Sequence, residues 1–335
     1  MGSNPLRITN GDPIMPLAIV VEQPGGPEVL KPQDAARPVP GRNQLLVRVA
    51  AAGVNFIETY QRSGAYSMSH PFTPGAEAAG VVEEVGSDAA GFTPGSRVAF
   101  AEGIGTYAEY ALVDADRALP VPEGIDLETA AAVPLQGMTA HYLINSTFPV
   151  EPGMTVLAHA GAGGVGLLLI QLLKAKGARV FTTVSTPEKE ELARGAGADE
   201  VLPYEGFADA THALTDGTGV DVVYDGVGKS TFDDSLKSLR VRGTMVLYGA
   251  ASGAPAPFDP QRLNSGGSLF LTRPSLVHHL RSPEERRWRS EELFGAIAAG
   301  QLNVRIGARY PLAEAAQAHE DLQARRTTGK VLLIP

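Results

Sequence analysis

The residues with the clearest chemical potential are Gly161-Ala162-Gly163-Gly164-Val165-Gly166, spaced as Gly-x-Gly-x-x-Gly. Glycine lets a backbone turn tightly and approach a pyrophosphate, and a helix beginning there offers free N–H groups and the positive end of its dipole. The run carries meaning only between a strand and a helix. Here an apolar strand is expected at 155–158, a helix at 165–176 and a second strand at 179–184. Gly161, Gly163, Gly164, Val165 and Gly166 are therefore assigned to a dinucleotide pyrophosphate. The alternative is a glycine-rich strand-to-helix turn with no ligand.

The far end of the ligand is read from the second strand. Sites for NAD usually place Asp or Glu there, on the ribose hydroxyls. This strand instead ends Val184-Ser185-Thr186, with Lys189 one turn into the next helix. Hydroxyls and an ammonium suit a 2′-phosphate, which a carboxylate would repel, so NADPH is expected over NADH. Glu188 reads as helix surface, and Lys189 as an ordinary exposed lysine is the competing assignment.

Other chemistries find little footing. Gly228-Lys229-Ser230-Thr231 resembles the end of a P-loop, but the first glycine would fall at Val223, inside a strand. The histidines, at 70, 141, 159, 212, 278, 279 and 319, include no His-x-x-x-His pair, and there are no cysteines, so no metal site is expected. No Gly-x-Ser-x-Gly elbow supports an esterase.

The 335 residues suffice for two domains, with 44% hydrophobic and 19% charged residues in an ordinary globular balance. A net charge of -9 without basic blocks disfavours nucleic acid as the main partner. The longest dense apolar run, 165–173, is too short for a bilayer and is interrupted by Gln171. Residues 1–14 are polar and proline-rich, lack a secretion pattern and read as a loose extension, with Met15 a possible start of the folded unit. A cytoplasmic protein without membrane contact is expected.

The elements that must position the loop fall into two patterns. Short strands at 45–50, 80–85, 97–100 and 107–113, separated by Gly, Pro and Asp, suggest a small antiparallel barrel. Helices are expected at 126–132 and 139–145, after which strands and helices alternate. Strands at 155–158, 179–184, 200–202, 220–224, 244–248 and 268–272 enclose helices at 165–176, 187–194, 207–214 and 230–239. This alternation is the mark of a parallel sheet wound on both faces, an α/β architecture. Two more helices, 284–300 and 312–323, precede a terminal strand at 330–334 whose natural host is the barrel.

Beyond the glycine loop, several segments form a recognisable set. They are Gly-Gly-Pro-Glu-Val-Leu at 25–30, Ala-Ala-Gly-Val-Asn-Phe-Ile-Glu-Thr-Tyr-Gln-Arg-Ser-Gly at 51–64 and Pro-Gly-Ala-Glu-Ala-Ala-Gly at 74–80. Gln-Gly-Met-Thr-Ala-His-Tyr at 136–142, the loop at 160–166 and Tyr-Asp-Gly-Val-Gly at 224–228 follow. Leu-Thr-Arg-Pro-Ser at 271–275 and Leu-Leu-Ile-Pro at 332–335 complete it. With these motifs the chain resembles, from about residue 21 to the end, the quinone oxidoreductases, the zeta-crystallin-like branch of the medium-chain dehydrogenase/reductase superfamily.

The resemblance implies a GroES-like β-barrel catalytic domain, residues 15–138 with 280–335, and a Rossmann NADPH-binding domain, residues 139–279. Positions that bind catalytic zinc in relatives correspond to Asn55 and Ala76, with Glu77 retained, so the zinc-independent branch is implied. Asn55 and Tyr60 should line the nicotinamide and substrate cleft, with Thr139 near the nicotinamide or its phosphates. Ser185, Lys189 and Tyr204 should surround the 2′-phosphate, and Arg325 should reach it from the tail. Gln136 stands where some members carry lysine.

The implied reaction is transfer of reducing equivalents from NADPH to a quinone or related electron-poor acceptor, with Tyr60 as candidate hydroxyl donor to the acceptor oxygen. An alkenal or enone reductase is the rival within the class; a low-turnover NADPH-binding sensor or structural protein is the rival outside it. The apolar strand at 268–272, at the edge of the wound sheet, together with the resemblance suggests a homodimer.

Overall fold

The computed structural model describes residues 15–335, and the expected extension at 1–14 lies outside the described residues. The first part holds β1 (Leu17–Val20), β2 (Lys31–Asp34), β3 (Gln44–Val54), α1 (Phe56–Ser63), β4 (Ala78–Val85), β5 (Arg97–Phe100), β6 (Tyr110–Asp114) and β7 (Leu119–Pro120). The long strand β3 organises it, pairing antiparallel with both β4 and β6. Its buried residues, among them Leu45, Val47, Val49, Ala52 and Val54, pack on Val82, Val98 and Val113. The strand expected at 107–113 is shorter, because Tyr107 bonds elsewhere: its amide donates to Pro74 and its carbonyl accepts from Ile19.

Two helices, α2 (Leu127–Ala131) and α3 (Pro134–Tyr142), lead out of this sheet. Pro134 at the start of α3 suits a first helical turn, which needs no proline N–H. The helix expected at 139–145 thus begins earlier and ends in a π-helical turn at Leu143–Thr147.

Next come β8 (Thr155–Ala158), α4 (Gly164–Ala175), β9 (Arg179–Thr183), α5 (Pro187–Gly195), β10 (Glu200–Leu202), α6 (Phe207–Leu214), β11 (Val220–Asp225), α7 (Phe232–Lys237), β12 (Leu239–Leu247), α8 (Gln261–Ser265) and β13 (Phe270–Thr272). The six strands form one sheet in the order β10-β9-β8-β11-β12-β13. Every recorded pairing within it is parallel. This is the doubly wound order whose crevice lies where the strand sequence reverses, between β8 and β11. Val156, Val180, Val222 and Val246 join one core; their neighbours Leu157, Phe181, Val223 and Met245 join another. Alternate residues face opposite sides of a strand, so both faces of this sheet are covered, as its apolar runs require. The helix expected at 230–239 is only Phe232–Lys237, because β12 already starts at Leu239.

The tail comprises α9 (Pro283–Ala298), β14 (Ile306–Pro311), α10 (Ala315–Gln323) and β15 (Lys330–Ile334). The terminal strand β15 pairs antiparallel with β3 and parallel with β14, completing a sheet ordered β14-β15-β3-β4-β5-β7 with β6 on β3. The barrel-like sheet is therefore the host expected for the last strand. Just before β15, the Gly329 amide donates to Ala162 O at 2.9 Å, bringing the tail against the glycine loop.

Candidate active site

The chain turns at Ala160, which adopts φ 57°, and enters α4 at Gly164. Two glycines are needed there for space. A Cβ on Gly166 would lie 2.2 Å from the carbonyl oxygen of Ala160, and one on Gly161 would lie 2.3 Å from Thr182 Oγ1. A Cβ on Gly164 would meet only the end of the Gln136 side chain, 1.9 Å from Oε1. The first-turn N–H groups of α4 have no partner within the helix, so the loop presents donors and a positive dipole end.

The loop opens into a cleft between the parallel sheet and the barrel-like sheet. Of the residues expected at the cofactor or acceptor, Asn55, Gly163, Gly164, Val165, Gly166, Ser185, Lys189, Tyr204 and Arg325 line this cleft. Gly161 is buried under the loop, where its amide donates to Thr183 O at 3.1 Å. Thr186 caps α5, its hydroxyl accepting from the Lys189 amide at 3.3 Å, and so orients the helix that carries Lys189. Thr139 is buried within α3. Tyr60 is half-buried on α1, its ring centroid 5.4 Å from that of Tyr66 and its hydroxyl beside the Ala250 amide. Burial raises the Tyr60 pKa, which keeps the hydroxyl a donor.

Gly226, Val227 and Tyr248 also line the cleft, and no role was read for them in the sequence. The motif Tyr-Asp-Gly-Val-Gly at 224–228 was their available signal. Its Asp225 is fully buried and shapes the turn: Oδ1 accepts from Val227 N at 2.7 Å and Gly228 N at 2.9 Å. Asp225 Oδ2 accepts from Thr231 at 2.7 Å and Ser235 at 2.9 Å. Since Ser235 donates to Asp225, its oxygen accepts from His159 Nε2 at 2.8 Å. His159 Nδ1 then accepts from Thr183 Oγ1 at 2.8 Å. Burial lowers the His159 pKa against the opposing pull of Asp225, so the neutral ring relays this one directed chain. Tyr204 adjoins the chain at Thr183.

A second buried cluster stands at the opposite wall. Asn55, at the junction of β3 and α1, is 4% exposed; Glu58 and Glu77 are fully buried and Lys330 nearly so. Lys330 Nζ ion-pairs with Glu77 Oε2 and donates to Asn55 Oδ1 at 2.8 Å. Asn55 Nδ2 donates to Glu77 Oε2 at 2.8 Å, and Glu77 Oε1 accepts from the Leu135 amide at 2.8 Å. Glu58 Oε2 accepts from the Asn55 amide at 2.8 Å, while Oε1 is buried with no partner among the described residues. Burial pushes the Glu58 pKa up to about 8, against the opposing pull of Lys330.

Comparison with known proteins accords with this geometry. Residues 41–123 match the alcohol dehydrogenase GroES-like domain and residues 164–290 match the zinc-binding dehydrogenase family. A Pseudomonas aeruginosa quinone oxidoreductase is 45% identical over 93% of this chain and 97% of its own length. A 2-haloacrylate reductase from Burkholderia is 40% identical over 96% and 99%. Among solved structures, Escherichia coli quinone oxidoreductase complexed with NADPH is 42% identical, with a TM-score of 0.94 over 95% of this chain and 100% of that one. A mycobacterial protein complexed with NADPH is 52% identical, with a TM-score of 0.93 over 96% and 100%.

The second family description implies zinc, which the residues here do not fit. Asn55 and Ala76 offer neither thiolate nor imidazole at the corresponding positions, and the Lys330 ammonium stands 2.8 Å from Asn55 Oδ1, where it opposes a dication. With the fold, the glycine cradle and the identities over nearly the whole chain, the protein belongs to the quinone oxidoreductase branch of the medium-chain dehydrogenase/reductase superfamily.

Proposed function

We propose that the chain is a zinc-independent, NADPH-dependent quinone oxidoreductase. The observation that carries the reading is the far end of the cleft, where Ser185, Lys189 and Arg325 meet without a carboxylate among the lining residues. Burial and the neighbouring Arg325 lower the Lys189 pKa. Two cations held together at a cleft end suit an anion such as a 2′-phosphate.

The residues fit the cofactor. Gly163, Gly164, Val165 and Gly166 would hold the pyrophosphate, Ser185, Lys189, Tyr204 and Arg325 the phosphorylated adenosine, and Asn55 the nicotinamide end. When bound, NADPH supplies the reducing equivalents, and the protein's work is orientation and exclusion of water. Tyr60 would donate a hydrogen bond to the developing negative charge on the acceptor oxygen. Following NADPH absorbance with a quinone and an alkenal in parallel tests the proposal. Oxidation with the quinone supports it; oxidation with the alkenal alone selects the conjugated-carbonyl reductase, and tight NADPH binding without turnover selects a sensor.

The conjugated-acceptor reading has one support of its own: the positive charge of Arg273 acts to lower the Tyr60 pKa against the larger effect of burial. A cation there would favour an acceptor bearing a carboxylate. The assembly is proposed as a homodimer joined at β13, supported by Val241, Phe270 and Val277, which are 66%, 60% and 54% exposed near that sheet edge. The cysteine-free composition supports a cytoplasmic setting. A catalytic domain of 15–138 with 280–335 and a cofactor domain of 139–279 would cross once within α3 and once at the end of the Leu276–His279 turn.

A further inference from the structure

Asn55 is the one residue of the buried polar cluster that reaches the cleft beside the glycine loop, together with Gln136. Its amide has two acceptor sites on Oδ1 and two hydrogens on Nδ2. Lys330 Nζ at 2.8 Å and Gln136 Nε2 at 3.2 Å both donate to Oδ1. One Nδ2 hydrogen goes to Glu77 Oε2 at 2.8 Å. An ammonium has no acceptor and a carboxylate no hydrogen to give, so turning the amide over would face donor to donor and acceptor to acceptor. The side chain therefore has one orientation, and among the described residues its only uncommitted hydrogen-bonding capacity is the second Nδ2 hydrogen, on a residue that lines the cleft.

We propose that Lys330 and Glu77 are positioning residues that lock Asn55 as a one-hydrogen donor to an oxygen of the molecules reacting in the cleft. This deepens the proposed function and rests on it.

The backbone is arranged for this pair. β15 runs antiparallel to β3 with Val331 opposite Val54, so Lys330 falls beside Asn55. The Gly53 amide donates to Glu77 O at 3.0 Å, setting Glu77 alongside. A Cβ on Gly53 would lie 2.2 Å from Glu77 Oε2 and 2.7 Å from Lys330 Nζ, so the pair occupies the space a side chain would fill. A buried ion pair is a weak source of stability, and replacing it by neutral groups often leaves the fold intact, whereas removing one partner strands a charge. A role in fixing orientation accounts for its presence better than a role in stability.

The test uses the full chain with Lys330→Arg, Glu77→Gln and the charge-free double variant Glu77→Gln/Lys330→Met. Three quantities are measured: the NADPH dissociation constant by fluorescence, kcat and KM for a quinone, and the Asn55 side-chain amide resonances in 15N-asparagine-labelled protein without ligand. The double variant should lose at least about tenfold in kcat, less than the roughly 10²–10³-fold of removing a preorganised donor outright, because Asn55 itself remains. Its Asn55 amide resonances should shift and its hydrogens exchange faster with solvent. Lys330→Arg should restore most of both. Unless the shared oxygen belongs to the cofactor, NADPH affinity should change less than twofold; a larger loss with unchanged kcat names the cofactor as the molecule Asn55 contacts and still supports the lock. A folded double variant with wild-type kcat, affinity and Asn55 resonances overturns the proposal. If wild-type protein oxidises no NADPH with any quinone, the proposed function fails, while the resonances still decide whether the amide is locked.

Discussion

Lys189 Nζ donates to the main-chain carbonyl of Arg325 at 2.6 Å, joining residues 136 positions apart. The bond ties α5, on the parallel sheet, to the turn that leads into β15, and Arg325 adopts φ 58° to make that turn. The ammonium is thereby held at the cleft end with a guanidinium for neighbour, an arrangement suited to an anion.

Replacing Lys189 by Ala should raise the KM for NADPH about tenfold and change that for NADH little. This is the lower part of the range for a charge-assisted hydrogen bond, because the site is open to water and salt. The wild type should prefer NADPH. Equal Michaelis constants for the two cofactors would refute the assignment.

Tyr60→Phe removes the hydroxyl and leaves the ring against Tyr66. Turnover with a quinone should fall roughly 10²-fold, the lower end of the effect of losing one donor to a developing oxyanion, while NADPH affinity stays intact. Lost cofactor affinity with normal turnover would show that Tyr60 belongs to the cofactor's site instead.

Gly166→Ala places a Cβ 2.2 Å from a backbone oxygen, so the loop itself must move. We expect destabilisation of about 1–3 kcal/mol, as for other overpacked positions, together with loss of NADPH binding. Gly164→Ala meets only the end of the Gln136 side chain and should cost less in thermal denaturation. A Gly166→Ala protein that binds NADPH normally would remove the pyrophosphate assignment.

Glu58 carries a pH signature. Its pKa rises from 4.5 to about 8, with Lys330, Glu77 and Tyr107 as the charged or titratable groups that couple to it. Below pH 4.5 the folded and unfolded chains are both protonated there, and the contribution to stability is fully present. Between 4.5 and about 8 only the unfolded chain loses the proton, so stability falls, by up to about 1.4 kcal/mol per pH unit; above that window the slope ends. Glu58→Gln should flatten the profile, which urea unfolding at pH 5, 6.5 and 8 will read. An unchanged slope would mean that Glu58 is ionised in the folded protein.

Phe270→Lys puts a charge on the exposed edge strand β13. Sedimentation should show a dimer for the wild type and a monomer for the variant. A monomeric wild type would end the homodimer proposal.

Helix α1 shows why part of the site was hard to read in the sequence. Its buried residues are Glu58, Thr59 and Arg62, while Ile57 is exposed. A helix is recognised by its apolar stripe, and here the stripe is polar because its partners are polar. Arg62 bonds to His319 at 3.2 Å and Gln323 at 3.0 Å on α10, and His319, pushed down to about 3 by burial and by Arg62, bonds Tyr107 at 3.0 Å. β14 was missed as well: its residues alternate between partly buried and exposed, and none is fully buried.

By itself the sequence determined what depends on neighbours along the chain. The glycine loop, the strand and helix around it and the absence of an acid after the second strand are local, because backbone conformation and helix dipole are set within a few residues. It also carried the alternation that makes a parallel sheet, since strands covered on both faces must be apolar throughout. Only the tertiary structure decided what surrounds Asn55. Residues 55, 77, 136 and 330 meet because β15 pairs with β3 in one register and α3 packs beside them, and no local pattern encodes that register. It likewise decided that Arg325 meets Lys189, because hydrogen-bond partners distant in sequence are chosen by how the elements pack.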